Sequence, residues 1–291
     1  MRGIGVERAA FSAHHRHMKS TLIALIVLGV ASTASAEPGD PTFDSLSMGR
    51  HTPITTLSFE LGYEVWDEPG TTDINVMSVN VAGHFVGRRG VGGYFVLPLT
   101  YLDLRVVGLE DSDLAIGNIE LGGIYTKFFG TTALVFHGGV ALPTAQDEDA
   151  AAFQFFGAFT RMADAPLRVL DSTWLRFGIS PMGRAGSFLW RADAGLDLAL
   201  DEDQSDLSPI FHLNVGGGID LGSAQLLVEL VNVFSDEPAG DDDASTITLG
   251  ARFTSGNLRP GIGLLFPIDF DGADAFEWAL LGSLAVRLPS L

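Results

Sequence analysis

The chain of 291 residues contains no cysteine. That absence excludes a disulfide framework and thiolate chemistry, so an exported chain of this length is held together by hydrogen bonding and packing alone. Positive charge is scarce: 17 Lys and Arg stand against 36 Asp and Glu, a net charge of −19. Proteins that bind nucleic acid neutralise phosphates with Lys and Arg, so this balance argues against nucleic acid as a partner. Long apolar runs are also missing. Beyond the N-terminal region no uninterrupted stretch reaches the roughly 18 apolar residues that a spanning helix requires. Yet 46% of the residues are hydrophobic, far too many for an acidic disordered chain. Charge and apolar residues must therefore be segregated along the sequence.

The N-terminal region sets the compartment. "MKSTLIALIVLGVASTASA" has a basic start at Lys19, an apolar run from Leu22 to Val30, and Ala34-Ser35-Ala36 ahead of Glu37, the small-residue pattern read by signal peptidase. Residues 1–36 are expected to be a signal peptide, with Met18 as an alternative start. The cluster His14, His15 and His17 is lost with it and is not read as a metal site. Removal of the signal leaves 13 basic and 35 acidic residues, a net charge near −22.

The remainder alternates. In "FHLNVGGGID", Phe211, Leu213, Val215, Gly217 and Ile219 share one face, and His212, Asn214, Gly216, Gly218 and Asp220 the other, because strand side chains point alternately to opposite sides. Twelve such runs are found, at about 53–66, 74–86, 92–107, 116–128, 133–143, 174–182, 186–199, 207–219, 224–235, 246–254, 260–268 and 276–288. Most have about the 9 to 11 residues with which a tilted strand crosses a bilayer.

The connections decide between a soluble sandwich and a membrane barrel. Those after odd-numbered runs, among them "GLEDSDLA", "DEDQSD" and "SDEPAGDDDAS", hold 24 acidic residues, whereas those after even-numbered runs hold one, Asp220. A sandwich has no reason to sort its loops in this way. Outer-membrane barrels do, with longer external loops, short periplasmic turns and an even strand count. The fold expected is all-β: a closed antiparallel transmembrane β-barrel of about 12 strands over 53–291, preceded by a periplasmic lead over 37–52. Trp66 and Trp278 are expected at the external rim, and Phe85, Phe128, Phe188 and Phe253 at the periplasmic one. The long 144–173 connection breaks the rhythm. Phe155, Phe156, Phe159 and Met162 fall at helical spacing there, so a short helix is expected, and Phe155, Phe156 and Phe159 become candidates for a lumen plug.

The face opposite the apolar one carries the lumen-lining candidates Glu60, Glu64, His84, Glu120, His137, Arg176, Arg191, Asp193, Asp197, His212, Glu229 and Arg252. Opposed charges in a narrow barrel either pair as a structural network or line an aqueous path. A barrel phospholipase keeps a Ser two residues from its His; here Val86, Gly139 and Asn214 follow His84, His137 and His212 at that spacing. "DFDGAD" places Gly272 fourth, where an EF-hand turn needs it sixth. No catalytic residue, metal site or cofactor is assigned. Asp241, Asp242 and Asp243 are the densest acidic run at the external mouth, where loosely bound divalent cations bridging lipopolysaccharide phosphates are the expected company.

"AIGNIELGGIY", Ala115 to Tyr125, and "GGVALPT", Gly138 to Thr144, resemble the outer-membrane β-barrels of the phenol-degradation and fatty-acid transporter-like group. That resemblance implies a barrel passing small apolar solutes. The function expected is a non-enzymatic channel or transporter for small solutes in the outer membrane of a Gram-negative bacterium, surrounded by lipid and lipopolysaccharide. A plugged structural or surface-interaction barrel acting through its acidic loops is the alternative, and an outer-membrane hydrolase the third reading.

Overall fold

A computed structural model describes residues 41–66, 73–106, 109–145, 151–200, 208–235, 243–254, 256–270 and 275–288. The strands are β1 (Thr56–Trp66), β2 (Asp73–Val86), β3 (Val91–Val106), β4 (Leu109–Ile116), β5 (Glu120–Phe129), β6 (Thr132–Ala141), β7 (Trp174–Ala185), β8 (Phe188–Ala199), β9 (Ile210–Asp220), β10 (Ala224–Ser235), β11 (Ala244–Phe253), β12 (Leu258–Phe270) and β13 (Phe276–Arg287). Each pairs antiparallel with its neighbours, and β13 returns to β1, with Thr56 opposite Arg287 and Glu60 opposite Ser283. The result is a closed barrel of twelve strands with one extra strand, β4. Closure of the twelve strands pairs the wall on both sides, and among the described residues β4 pairs on one side alone, with β3.

The extra strand corrects the reading of "GLEDSDLA" as a loop. β3 is 16 residues long; its first part, Val91–Val96, pairs with β5, and its second, Leu99–Val106, pairs with β4. The backbone of β3 beyond Val96 needs a partner, and Leu109–Ile116 supplies it despite three acidic side chains. Backbone pairing there outweighs an acidic composition that reads as loop.

Alternation comes out as expected for a wall facing lipid. On β1, Leu57, Phe59, Leu61 and Tyr63 are exposed, while Glu64 is 1% exposed. The apolar set looks outward and the polar set inward, the reverse of a soluble sandwich. The connections after β2, β5, β7, β9 and β11 are tight, each with a glycine at positive φ, such as Gly90 at 77° and Gly222 at 90°, where a side chain is disfavoured. Trp66 departs from its expected rim position. It is buried, turned inward against Phe156, Phe159 and Phe276, because it shares the face of Glu60 and Glu64 by period-two alternation and its indole N–H donates to Glu64 at 3.2 Å.

The 144–173 connection folds as a short helix α1 (Ala151–Gly157) and a 3-10 segment over Phe159–Arg168, kinked at Arg161. The helix keeps the strand parity that the sequence demanded. Asn118, in the break between β4 and β5, anchors the connection: its side-chain amide donates to the carbonyl of Val169 at 2.6 Å, and its amide oxygen accepts from the N–H of Ala145 at 3.1 Å.

Candidate functional site

The twelve polar candidates all lie on the inner face. Glu64, His84, Glu120, Arg176, Arg191, Asp193, Asp197, His212, Glu229 and Arg252 are buried. Glu60 meets Arg50, and His137 stacks on His51. Many of their partners come from residues 41–55, the segment read from sequence as a lead ahead of the barrel. The structure runs it through the interior.

That segment is bound through its backbone. The Glu229 carboxylate accepts the successive N–H groups of Leu46, Ser47 and Met48 at 2.7, 2.7 and 3.0 Å, and the Ser47 hydroxyl at 2.9 Å. Arg252 donates to the carbonyls of Asp44 at 2.9 Å and Ser45 at 3.0 Å, and Arg161 to those of Leu46, at 2.8 Å, and Met48. Asp193 accepts the N–H of Gly49 at 3.1 Å and is held by Arg191 at 2.8 Å. Charge-assisted bonds of this kind are about twice as strong as neutral ones. Phe43 and Met48 are 0% exposed and rest on Gly216, where a Cβ would stand 2.8 Å from both side chains. Glycine on the inner face of β9 is what admits the segment.

A second centre surrounds Arg176. Its guanidinium meets Glu120 at 2.6 Å, Asp197 at 3.2 Å and Asp164 at 3.3 Å, and donates to the carbonyl of Ala163 at 2.6 Å. Tyr94 donates to Glu120 at 2.6 Å, and His212 pairs with Asp197 at 2.7 Å. Asp164 also binds Arg50 at 2.6 Å and Arg161 at 3.1 Å. Burial would raise the pKa of Asp164, but Arg50, Arg161 and Arg176 outweigh it and hold the carboxyl well below the usual range. Burial would equally lower that of Arg50, yet Asp164 and Glu60 keep the guanidinium firmly charged. Arg168 lacks such company: burial lowers its pKa to about 10, only partly offset by Asp164 and Glu64. It donates to Thr100 and, at 3.2 Å, to Asn80.

Sequence reasoning missed Asp44, Arg50, His51, Arg161, Asp164 and Arg168. They lie in segments without strand alternation, so period alone carried no signal. The charged and imidazole side chains of Asp44, Arg50 and His51, in a lead otherwise rich in Ser, Thr, Gly and Pro, were the available hint. Of the plug candidates, Phe159 is 2% exposed, Phe156 half-buried and Phe155 55% exposed. Asp241 and Asp242 lie outside the described residues, and Asp243 is exposed just before β11.

The free space is divided. Beside Phe43, Arg50, Glu60, His84, Arg191 and Arg252 about 40 Å³ remains, little more than the roughly 30 Å³ that one water occupies. Near the end bearing the acidic connections, an apolar cavity of about 410 Å³ lies between the inserted 144–173 connection and the wall, lined by Phe155, Phe159, Met162, Ile210, Val233 and Ala244 among others. Among the described residues no three His or carboxylate groups are placed to share a metal ion.

No protein-family model matches the chain, and no curated protein matches it. Solved structures do. The COG4313 outer membrane channel from Pseudomonas putida F1 is similar with a TM-score of 0.60 at 12% identity, over 87% of this chain and 100% of that one. The NanC porin is similar at 0.49 and 7% identity, over 80% and 100%, and the KdgM porin at 0.45 and 9%, over 80% and 99%. At such identities the first likeness establishes the fold, that of outer-membrane β-barrels. The two porins are too distant to add to it.

Proposed function

We propose that the chain is an outer-membrane channel for small apolar solutes, seen here with its lumen closed by residues 41–55. The observation that carries the reading is the apolar cavity of about 410 Å³ beside Phe159 and Met162. Its size and lining suit a small aromatic or aliphatic molecule, since ligand sites are predominantly apolar clefts of roughly 300–1,000 Å³. The exposed apolar band supports lipid as the surroundings, and the likeness to an outer-membrane channel supports the location and the transport role. Membership of the phenol-degradation and fatty-acid transporter-like group belongs to the same proposal.

The alternative, a plugged barrel acting through acidic loops that gather divalent cations and lipopolysaccharide, draws on the extensive pairing inside the lumen. A hydrolase is the third reading. His212 has the Asp197 partner that a catalytic histidine uses, but among the described residues no hydroxyl bonds to it.

Uptake of N-phenyl-1-naphthylamine by intact cells, followed by its fluorescence, tests the channel reading. Expression of a form lacking residues 37–52 is expected to speed uptake several-fold over cells without it, and Met162→Glu in that form, which puts a charge in the cavity, to remove the gain. Equal rates with and without the shortened protein, at confirmed levels of folded barrel, contradict it.

A further inference from the structure

We propose that residues 41–55 form a proton-operated gate: acidification places positive charge on the cluster of His51, His84 and His137 and drives the segment off the barrel wall. The proposal rests on the channel reading for its purpose, though not for its test.

Three imidazoles from distant parts of the chain meet in the lumen. His51, on the segment, lies parallel to His137 of β6, with ring centroids 3.5 Å apart and planes 11° apart. It meets His84 of β2 edge-on at 5.6 Å and Tyr94 of β3 at 4.6 Å. The stack is fitted closely: a Cβ on Gly178 would stand 2.1 Å from Nε2 of His137. Nε2 of His51, Nε2 of His84 and Nδ1 of His137 are buried without hydrogen-bond partners. Among the described residues the hydrogen-bond neighbour of His84 is Thr56, whose hydroxyl is 3.5 Å from its Nδ1. Among the described residues none of the three rings pairs with a carboxylate.

Among the described residues, the carboxylates around the stack are already engaged with arginines or His212. Arg50 of the segment is engaged with Glu60 of β1 and with Asp164 of the inserted connection, which also holds Arg161. Arg176 of β7 occupies Glu120 of β5 and Asp197 of β8, and Asp197 also holds His212 of β9. Arg191 of β8 occupies Asp193. A protonated stack therefore faces guanidinium groups and its own second imidazolium. Of the three rings, only His51 can leave, because the other two are built into the wall.

Burial, then His137, His84, Arg176 and Arg50, hold His51 well below the usual imidazole range. Released into water the same ring titrates near 6.5. The closed state binds fewer protons than the released one, so closure is at full strength above about pH 6.5 and weakens as pH falls below it. His51 alone contributes about tenfold per pH unit, or about thirtyfold by pH 5.0.

Hydrogen exchange of the Leu46, Ser47 and Met48 amides, corrected for the chemical rate, reads the gate directly in the folded full-length protein. Protection is expected to fall at least about thirtyfold between pH 7.5 and 5.0, and His51→Gln, neutral at both, to remove the roughly thirtyfold share that His51 contributes. Where His51→Gln itself releases the segment at pH 7.5, His137→Gln, which leaves the segment unaltered, takes its place and is expected to blunt the fall. Protection that ignores pH in the native protein overturns the gate whether or not the barrel conducts, and so does a full fall retained in the variant. Failure of the channel reading has its own signature: a chain lacking residues 37–52 that passes no current at either pH.

Discussion

Arg50 and Asp164 meet at 2.6 Å, joining the segment that precedes the barrel to the connection that folds into it from between β6 and β7. Neither belongs to the wall. Each is fixed to the wall by further partners, Arg50 through Glu60 and Asp164 through Arg176, so the two insertions brace each other across the lumen.

Asp164→Asn is expected to destabilise the folded protein by about 3 kcal/mol, the scale for leaving a buried charge short of its partner. The denaturant midpoint in detergent measures it. Because the carboxyl of Asp164 is held below the usual range, its contribution is complete above about pH 4 and declines only as pH falls further. Above about pH 6.5, where the segment keeps Arg50 in place, the loss in Asp164→Asn is therefore expected to be constant up to pH 8. A loss that shrinks within that window contradicts the assignment.

Topology follows from the sorting of acidic residues. Single cysteines replacing Asp242 and Arg89, in a chain that has none, are expected to react oppositely with an impermeant thiol reagent on intact cells. Position 242 is labelled and position 89, in the tight turn between β2 and β3, is spared. Labelling at 89 with protection at 242 inverts the barrel.

Much of this architecture was legible before any coordinates. Alternation in runs such as Phe211 to Asp220 places the wall, and parity forces Phe155 to Phe159 into a helix because a thirteenth spanning strand would invert every later loop. What failed was local. Leu109–Ile116 is acidic enough to read as loop, yet it pairs with β3 because that backbone would otherwise lack partners. Trp66 shares the parity of Glu60 and Glu64, so the same alternation turns it inward and away from the rim where its residue type placed it. The segment from Phe43 to His51 has no period of its own. Its place is set by Glu229, Arg252 and Gly216, residues more than 150 positions away, and such long-range pairing leaves no trace in local sequence.

The acidic external mouth is expected to make the open channel modestly cation-selective, by concentrating cations over a reach of about 8 Å at physiological ionic strength. The reversal potential across a salt gradient reads it. Replacing Asp241, Asp242 and Asp243 with Asn is expected to reduce the preference most in dilute salt. Anion preference in the native protein places control with the lumen arginines instead.

The central claim is that residues 41–55 close a channel, and single-channel recording tests it most directly. The refolded mature chain is compared at pH 7.5 with one lacking residues 37–52, both verified as heat-modifiable barrels. The account predicts sparse, small openings for the full chain and sustained conductance for the shortened one. Equal silence from both contradicts it, and equal, sustained conductance from both shows that the segment closes nothing.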